Sequence, residues 1–184
     1  MGRVTSSPEP SPALPSPPSP QVPPAFSSPL SDDENEVVGA LLSFSRVITA
    51  ITTRELGEDV TLPQFRTLVV LVSRGPQRVV DLAQELTVTS STAVRMCNRL
   101  VSKGLVTREE RPEDRRAAWI ILTATGRDLV GEVMRRRRDT LAAMIGELSL
   151  TRPLAFASTL NALVEAGGEV SDARWWRLWD QSVQ

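Results

Sequence analysis

Between residues 90 and 99 the chain reads SSTAVRMCNR, and these residue types divide between two chemistries. Ser90, Ser91 and Thr92 offer hydroxyls, Arg95 and Arg99 guanidinium groups, Asn98 a carboxamide and Val94 a methyl surface. Such groups suit nucleic acid. Hydroxyls and a helix N-terminus meet phosphates, arginine pairs with guanine O6 and N7, asparagine with adenine, and a methyl surface with thymine. At helical spacing Ala93, Met96, Cys97 and Leu100 fall on the other side, so the segment would bury one face and present the polar one. A second basic group follows in the loop RPEDRR, residues 111–116. Arg115 or Arg116 could enter a narrow, electronegative minor groove, with Asp114 holding an arginine in place. Read alone, that loop is equally a solvated charged hairpin.

The elements around these residues can be read from periodicity and caps. Val37, Val38, Leu41, Leu42, Phe44, Ser45, Ile48 and Ile51 recur at helical spacing, with acidic residues at the start and Gly57 at the end. LPQFRTLVVLVSRGP predicts a second helix, with proline in its first turn and Gly75-Pro76 as the stop. VVDLAQEL predicts a short third helix whose start lacks a capping side chain. After the turn TVT, Thr89 is a natural N-cap for the helix carrying SSTAVRMCNR, and Gly104 its stop. LVTREE and AAWIIL read as strands flanking the charged loop.

Thr123 then caps a long helix to about Leu148. Its apolar stripe, Val130, Met134, Leu141, Met144 and Leu148 with Val133 and Ile145, lies near a 3.5 repeat and suits helix association. Thr151 and Pro153 open another helix ending at Gly167-Gly168, and the tail SDARWWRLWDQ brings Trp175, Leu178 and Trp179 to one side if helical. Packing of these tryptophans onto the dimerisation helices is the plain expectation. Arg135 to Arg138 could pass for a nucleic-acid patch, but four consecutive helical residues point all round.

Composition narrows the function. The chain of 184 residues has no histidine and one cysteine, so histidine bases, Ser-His-Asp triads and HExxH zinc sites are excluded. No glycine-rich phosphate loop appears, and an enzyme, a metal site or a cofactor is not expected. The net charge of −1 hides an asymmetry: residues 1–36 hold Arg3 against Glu9, Asp32, Asp33, Glu34 and Glu36, which leaves the remainder net positive. Residues 1–33, rich in proline and serine, read as a disordered tail. With no signal-peptide core, no long apolar run and no cystine pair, the expected place is the cytoplasm.

The stretch from LPQFRTLVVL through VVDLAQELTVTSSTAVRMCNRLVSKGLVTREERPEDRRAAWIILTATG resembles the MarR family of bacterial transcriptional regulators. The marks are DLA, the helix closing in RLVSKGLV, the wing DRR and the sequel LTATG, in order, with the resemblance covering about residues 34–166. It implies a mainly α fold with a small β-wing: a winged helix-turn-helix plus a helical dimerisation domain. It also implies homodimers on near-palindromic DNA, usually released by a small ligand, with Arg116 as groove arginine and Arg115 on phosphate. The expected layout is a tail over 1–33, a dimerisation helix over 34–57, the DNA-binding domain over 58–122, dimerisation helices over 123–168 and a Trp-rich segment over 169–184.

Phe44, Arg46, Phe65 and Trp119 could border a crevice for an aromatic or carboxylate effector, or serve as core and rim. Two rivals stay open. One is a winged-helix protein-interaction module without DNA binding. The other is a redox switch at Cys97, against which the helical phase already speaks, because it puts the thiol inward.

Overall fold

The computed structural model describes residues 29–58, 60–111 and 114–181, without the side chains of 110–117. The expected tail falls almost wholly outside the described residues. Seven helices and three strands follow in order: α1 (Asp32–Leu56), α2 (Leu62–Arg74), β1 (Gln77–Arg78), α3 (Val79–Glu85), α4 (Ser90–Ser102), β2 (Val106–Arg111), β3 (Asp114–Leu122), α5 (Ala124–Gly146), α6 (Pro153–Ala166) and α7 (Asp172–Gln181). The chain divides into two units, residues 1–41 and 42–184.

In the first unit, Ser31 starts α1. Its backbone N–H and hydroxyl both donate to the Glu34 carboxylate, and the Glu34 N–H donates back to the hydroxyl. α1 is long and apolar enough, by length and composition alone, to cross a membrane, with a mean hydropathy of 1.3 over its 18-residue window. Serines, threonines and a glycine interrupt that run, so no single apolar block is visible in the sequence.

The second unit is built on a core that α2 threads. Thr61 and Gln64 form a reciprocal capping box at its start, and Phe65, Leu68, Val70, Leu71 and Val72 are buried along it. They pack with Leu82 of α3, Cys97 and Leu100 of α4, Val106 and Ile120 of the sheet, and Val130 and Val133 of α5. The sheet order is β1-β3-β2, antiparallel throughout. Gln77 and Arg78 pair with Ile120 and Trp119, a two-residue strand that the sequence reading did not foresee. Two residues are too few for a period-2 pattern to show.

The apolar stripe of α5 divides in two. Val130 and Val133 are buried and Met134 packs against the same core, whereas Met144, Ile145 and Leu148 are exposed. The even 3.5 repeat therefore does not mark one continuous association seam, because its first half is consumed within the chain. α6 buries no residue at all, and Leu154 is 85% exposed.

Candidate nucleic-acid interface

α4 presents the face that its sequence implies. Thr89 caps it, accepting from the Thr92 N–H at 3.3 Å. Ala93, Met96, Cys97 and Leu100 are buried. Ser90, Ser91, Val94, Arg95, Asn98 and Arg99 are exposed and Thr92 is half-buried. The hydroxyls at the helix start are already linked, with Thr89 Oγ1 lying 3.1 Å from Ser91 Oγ and 2.9 Å from Thr92 Oγ1. Arg95 donates an Nη2 hydrogen bond to Thr92 Oγ1 at 3.3 Å. This network orders the first turn, and an arriving phosphate or base edge would exchange with it rather than meet free rotors.

The turn before α4 carries a feature that sequence reasoning missed. Thr87 has φ 53, in the left-handed region that favours glycine or asparagine. The turn is closed by Thr87 N–H donating to the Gln84 carbonyl and Val88 N–H to the Ala83 carbonyl. A β-branched residue at this φ is strained, and TVT alone does not signal it.

The far end of α4 is tied to α5. Leu105 N–H donates to the Leu100 carbonyl, Thr123 N–H to Leu105, and Thr123 Oγ1 to the Gly104 carbonyl at 2.8 Å. Thr123 Oγ1 also caps α5 by accepting from the Gly126 N–H at 3.0 Å. At Gly126 a Cβ would overlap the Leu105 carbonyl. The glycine of LTATG thus allows the first turn of α5 to lie against the exit of α4.

The wing is rooted where expected, with Trp119 and Ile120 of β3 joining β1 to β2. The backbones of Asp114, Arg115 and Arg116 belong to β3. Their side chains, and with them the proposed groove contact, lie outside the described residues.

The other candidates fall in different places. Phe65 is core, and Arg46 turns back to the Leu42 carbonyl and the Ser43 hydroxyl, while Phe44 is exposed. A cavity lies elsewhere, between α2, α5 and the start of α7, and none of Phe44, Arg46, Phe65 and Trp119 lines it. The Arg135–Arg138 run points all round, as expected, and each side chain reaches a different neighbour. Arg135 lies over the Trp179 ring, Arg136 pairs with Glu132 and Glu55, Arg137 lines the cavity and Arg138 pairs with Asp172. Cys97 is fully buried, and burial pushes its thiol above the ordinary value, with Arg108 opposing in part. A thiolate is therefore disfavoured, against a redox switch at this position.

Residues 60–118 match the MarR family. The solved structure of RV1404 from Mycobacterium tuberculosis is 35% identical, covers 78% of this chain and 99% of its own, and superposes with a TM-score of 0.70. The chain belongs to the MarR family. YfiV, an HTH-type transcriptional regulator of Bacillus subtilis, is 27% identical over 54% of this chain and 63% of its own length. BpsR of Bordetella bronchiseptica, whose DNA binding is regulated by 6-hydroxynicotinic acid, shares the fold at 24% identity and a TM-score of 0.53, over 70% of this chain and 98% of its own. This MarR-family protein is a DNA-binding transcriptional regulator with a helix-turn-helix, not an enzyme.

Proposed function

We propose that this regulator is a cytoplasmic homodimer that represses transcription from a near-palindromic operator and is released by a small ligand. The observation that carries the dimer is the uncovered apolar surface of the second unit. Phe44 and Val47 on α1, Met144 and Ile145 at the end of α5, Leu148 just after it, and Leu154, Phe156 and Leu163 on α6 are all exposed. So much apolar surface on helices that bury little within the chain fits a second copy. A dyad then sets two α4 helices about one helical turn of DNA apart. Ligand release is supported by analogy with BpsR, a protein of the same fold.

On each α4, Ser90, Ser91 and Thr92 take phosphate, Val94 a thymine methyl, and Arg95, Asn98 and Arg99 base edges or phosphate. On the wing, Arg116 takes the minor groove and Arg115 a phosphate, with Asp114 orienting an arginine. The test is titration of operator and scrambled duplexes at several salt concentrations. Arg95→Ala should cost about 1–3 kcal/mol on operator and relax preference at one position per half-site. Arg116→Ala should weaken binding to both duplexes and flatten the salt dependence by about one phosphate per wing. Unchanged affinity and salt slope for Arg116→Ala on every duplex would show the wing to be a solvated hairpin.

A further inference from the structure

The side chains on the outer face of α4 are not equally ordered. Arg95 donates from Nη2 to Thr92 Oγ1 at 3.3 Å. Asn98 and Arg99, the other candidate base readers, have no side-chain hydrogen bond among the described residues. Thr92 is itself held by the N-cap. Thr89 Oγ1 lies 2.9 Å from Thr92 Oγ1 and accepts from the Thr92 N–H at 3.3 Å. Whichever threonine donates across the 2.9 Å contact, Thr92 Oγ1 keeps a lone pair for Arg95. Ala93 and Met96, buried beneath this turn, fix it to the core. One chain of contacts therefore runs from the cap to the guanidinium.

Three consequences follow for Arg95. The first is direction. Helical side chains lean toward the N-terminus, and the bond to a residue one turn earlier brings the guanidinium over the start of α4. In helix-turn-helix docking that end of the recognition helix meets the base edges. The second is charge. Exposed arginines on the preceding elements are held by carboxylates, Arg74 by Glu85 and Arg78 by Asp81. Among the described residues Arg95 has no carboxylate within ion-pair distance. A neutral hydroxyl orders the side chain without cancelling the charge that DNA attracts. The third is donor capacity. Nη2 carries one N–H on each edge of the fork, so the bond to Thr92 leaves the other edge whole for guanine O6 and N7.

We propose that Thr92 is a positioning residue for base readout: its hydroxyl, held by Thr89, orders the Arg95 guanidinium before DNA arrives and so sets the preference at the base pair that Arg95 reads. The cost of immobilising a long side chain then falls on folding rather than on binding. An untethered guanidinium would have to be ordered by the DNA itself, and neighbouring bases and phosphates would compete for it. The inference rests on the base-edge reading of Arg95 given above, whatever part Thr92 also takes on phosphate.

The probe is a duplex enriched from random sequence by the full-length wild type, titrated beside its single-base variants and a scrambled duplex. The proteins compared are the wild type, Arg95→Ala, Thr92→Val, Thr92→Ser and the double variant Thr92→Val with Arg95→Ala. Arg95→Ala should erase the preference at one position per half-site. Thr92→Val keeps the β-branched shape and the backbone cap from Thr89, and circular dichroism checks the fold. It should lower the preference at that same position about three- to tenfold, the cost of immobilising one such side chain. Thr92→Ser, which keeps the hydroxyl, should restore most of it. In the Arg95→Ala background Thr92→Val should change no base preference. The proposal is overturned, and the base-edge reading stands, if Arg95→Ala erases a preference that Thr92→Val leaves unchanged. Equal loss on the enriched, substituted and scrambled duplexes also overturns it, because that is the mark of a phosphate contact. So does Thr92→Ser behaving as Thr92→Val, or a loss of preference by Thr92→Val that is as large without Arg95 as with it. If no preference depends on Arg95, the base-edge reading and the proposal fall together.

Discussion

Replacing Gly126 with alanine should be far more damaging than a glycine-to-alanine change in a helix ordinarily is. The new Cβ would overlap the Leu105 carbonyl and stand 3.0 Å from Leu122 Cδ1. The obstacle is backbone, so no rotamer relieves it, and the first turn of α5 must lift. Lifting it strains or breaks the Thr123 bonds to Leu105 and Gly104, at about 1 kcal/mol each. Overpacking adds about 1–3 kcal/mol, and the better helix propensity of alanine returns about 1 kcal/mol. The net loss is about 2–4 kcal/mol. At about 2–4 °C per kcal/mol for a chain of this size, the melting temperature should fall by about 4–16 °C. Gly146→Ala is the control, because nothing lies within 4 Å of a Cβ there. It should melt with the wild type or slightly above it. The assay is thermal unfolding followed by circular dichroism at one fixed protein concentration. If Gly126→Ala melts with the wild type, the contact between α5 and the exit of α4 is not the constraint described.

Leu154→Asp combined with Phe156→Asp should convert the protein to monomers by light scattering while leaving the core of the second unit folded. A wild type that is itself monomeric at micromolar concentration would refute the dimer. Cys97 should resist a soluble disulfide reagent until the protein unfolds. Its raised thiol value means that the unfolded chain ionises first, so stability should decline as pH climbs above the ordinary thiol value. Cys97→Ala should lose that part of the alkaline slope, and prompt labelling of the native wild type would contradict the burial.

What the sequence made legible was mostly local. Thr61, Thr89 and Thr123 act as N-caps, Gly75 and Gly104 take positive φ at helix ends, and the phase of α4 separates Met96, Cys97 and Leu100 from Arg95 and Asn98. These outcomes depend on neighbours a few residues away. What stayed hidden depends on which surfaces meet. No pattern along α5 tells that Val130 is buried in its own chain and Ile145 is not. The tryptophans of α7 were expected on the dimerisation helices, but α7 also packs on α2, which falls in the stretch expected to form the DNA-binding domain. The cavity at Arg137 needs three separated segments to converge, and periodicity carries no such information. For the same reason the sequence left open whether Phe44, Arg46, Phe65 and Trp119 border a crevice or serve as core and rim; Phe65 is core, and Arg46 bonds to Leu42 and Ser43.

The arginine run 135–138 gives the chain an unusual sensitivity to register. Each of the four side chains reaches a different neighbour: Trp179, then Glu132 with Glu55, then the cavity, then Asp172. A surface-exposed arginine pair contributes little by itself, so any one substitution here should be mild. Inserting a single residue between Gly131 and Arg135 is a different event. It keeps every amino acid, yet turns all that follows by about 100° and advances it by about 1.5 Å. All four engagements would then be lost together, along with the alignment of the outer half of α5 to the DNA-reading half. For this helix spacing is under tighter constraint than identity, and alleles that differ by length at this point should be rarer than alleles that differ by residue.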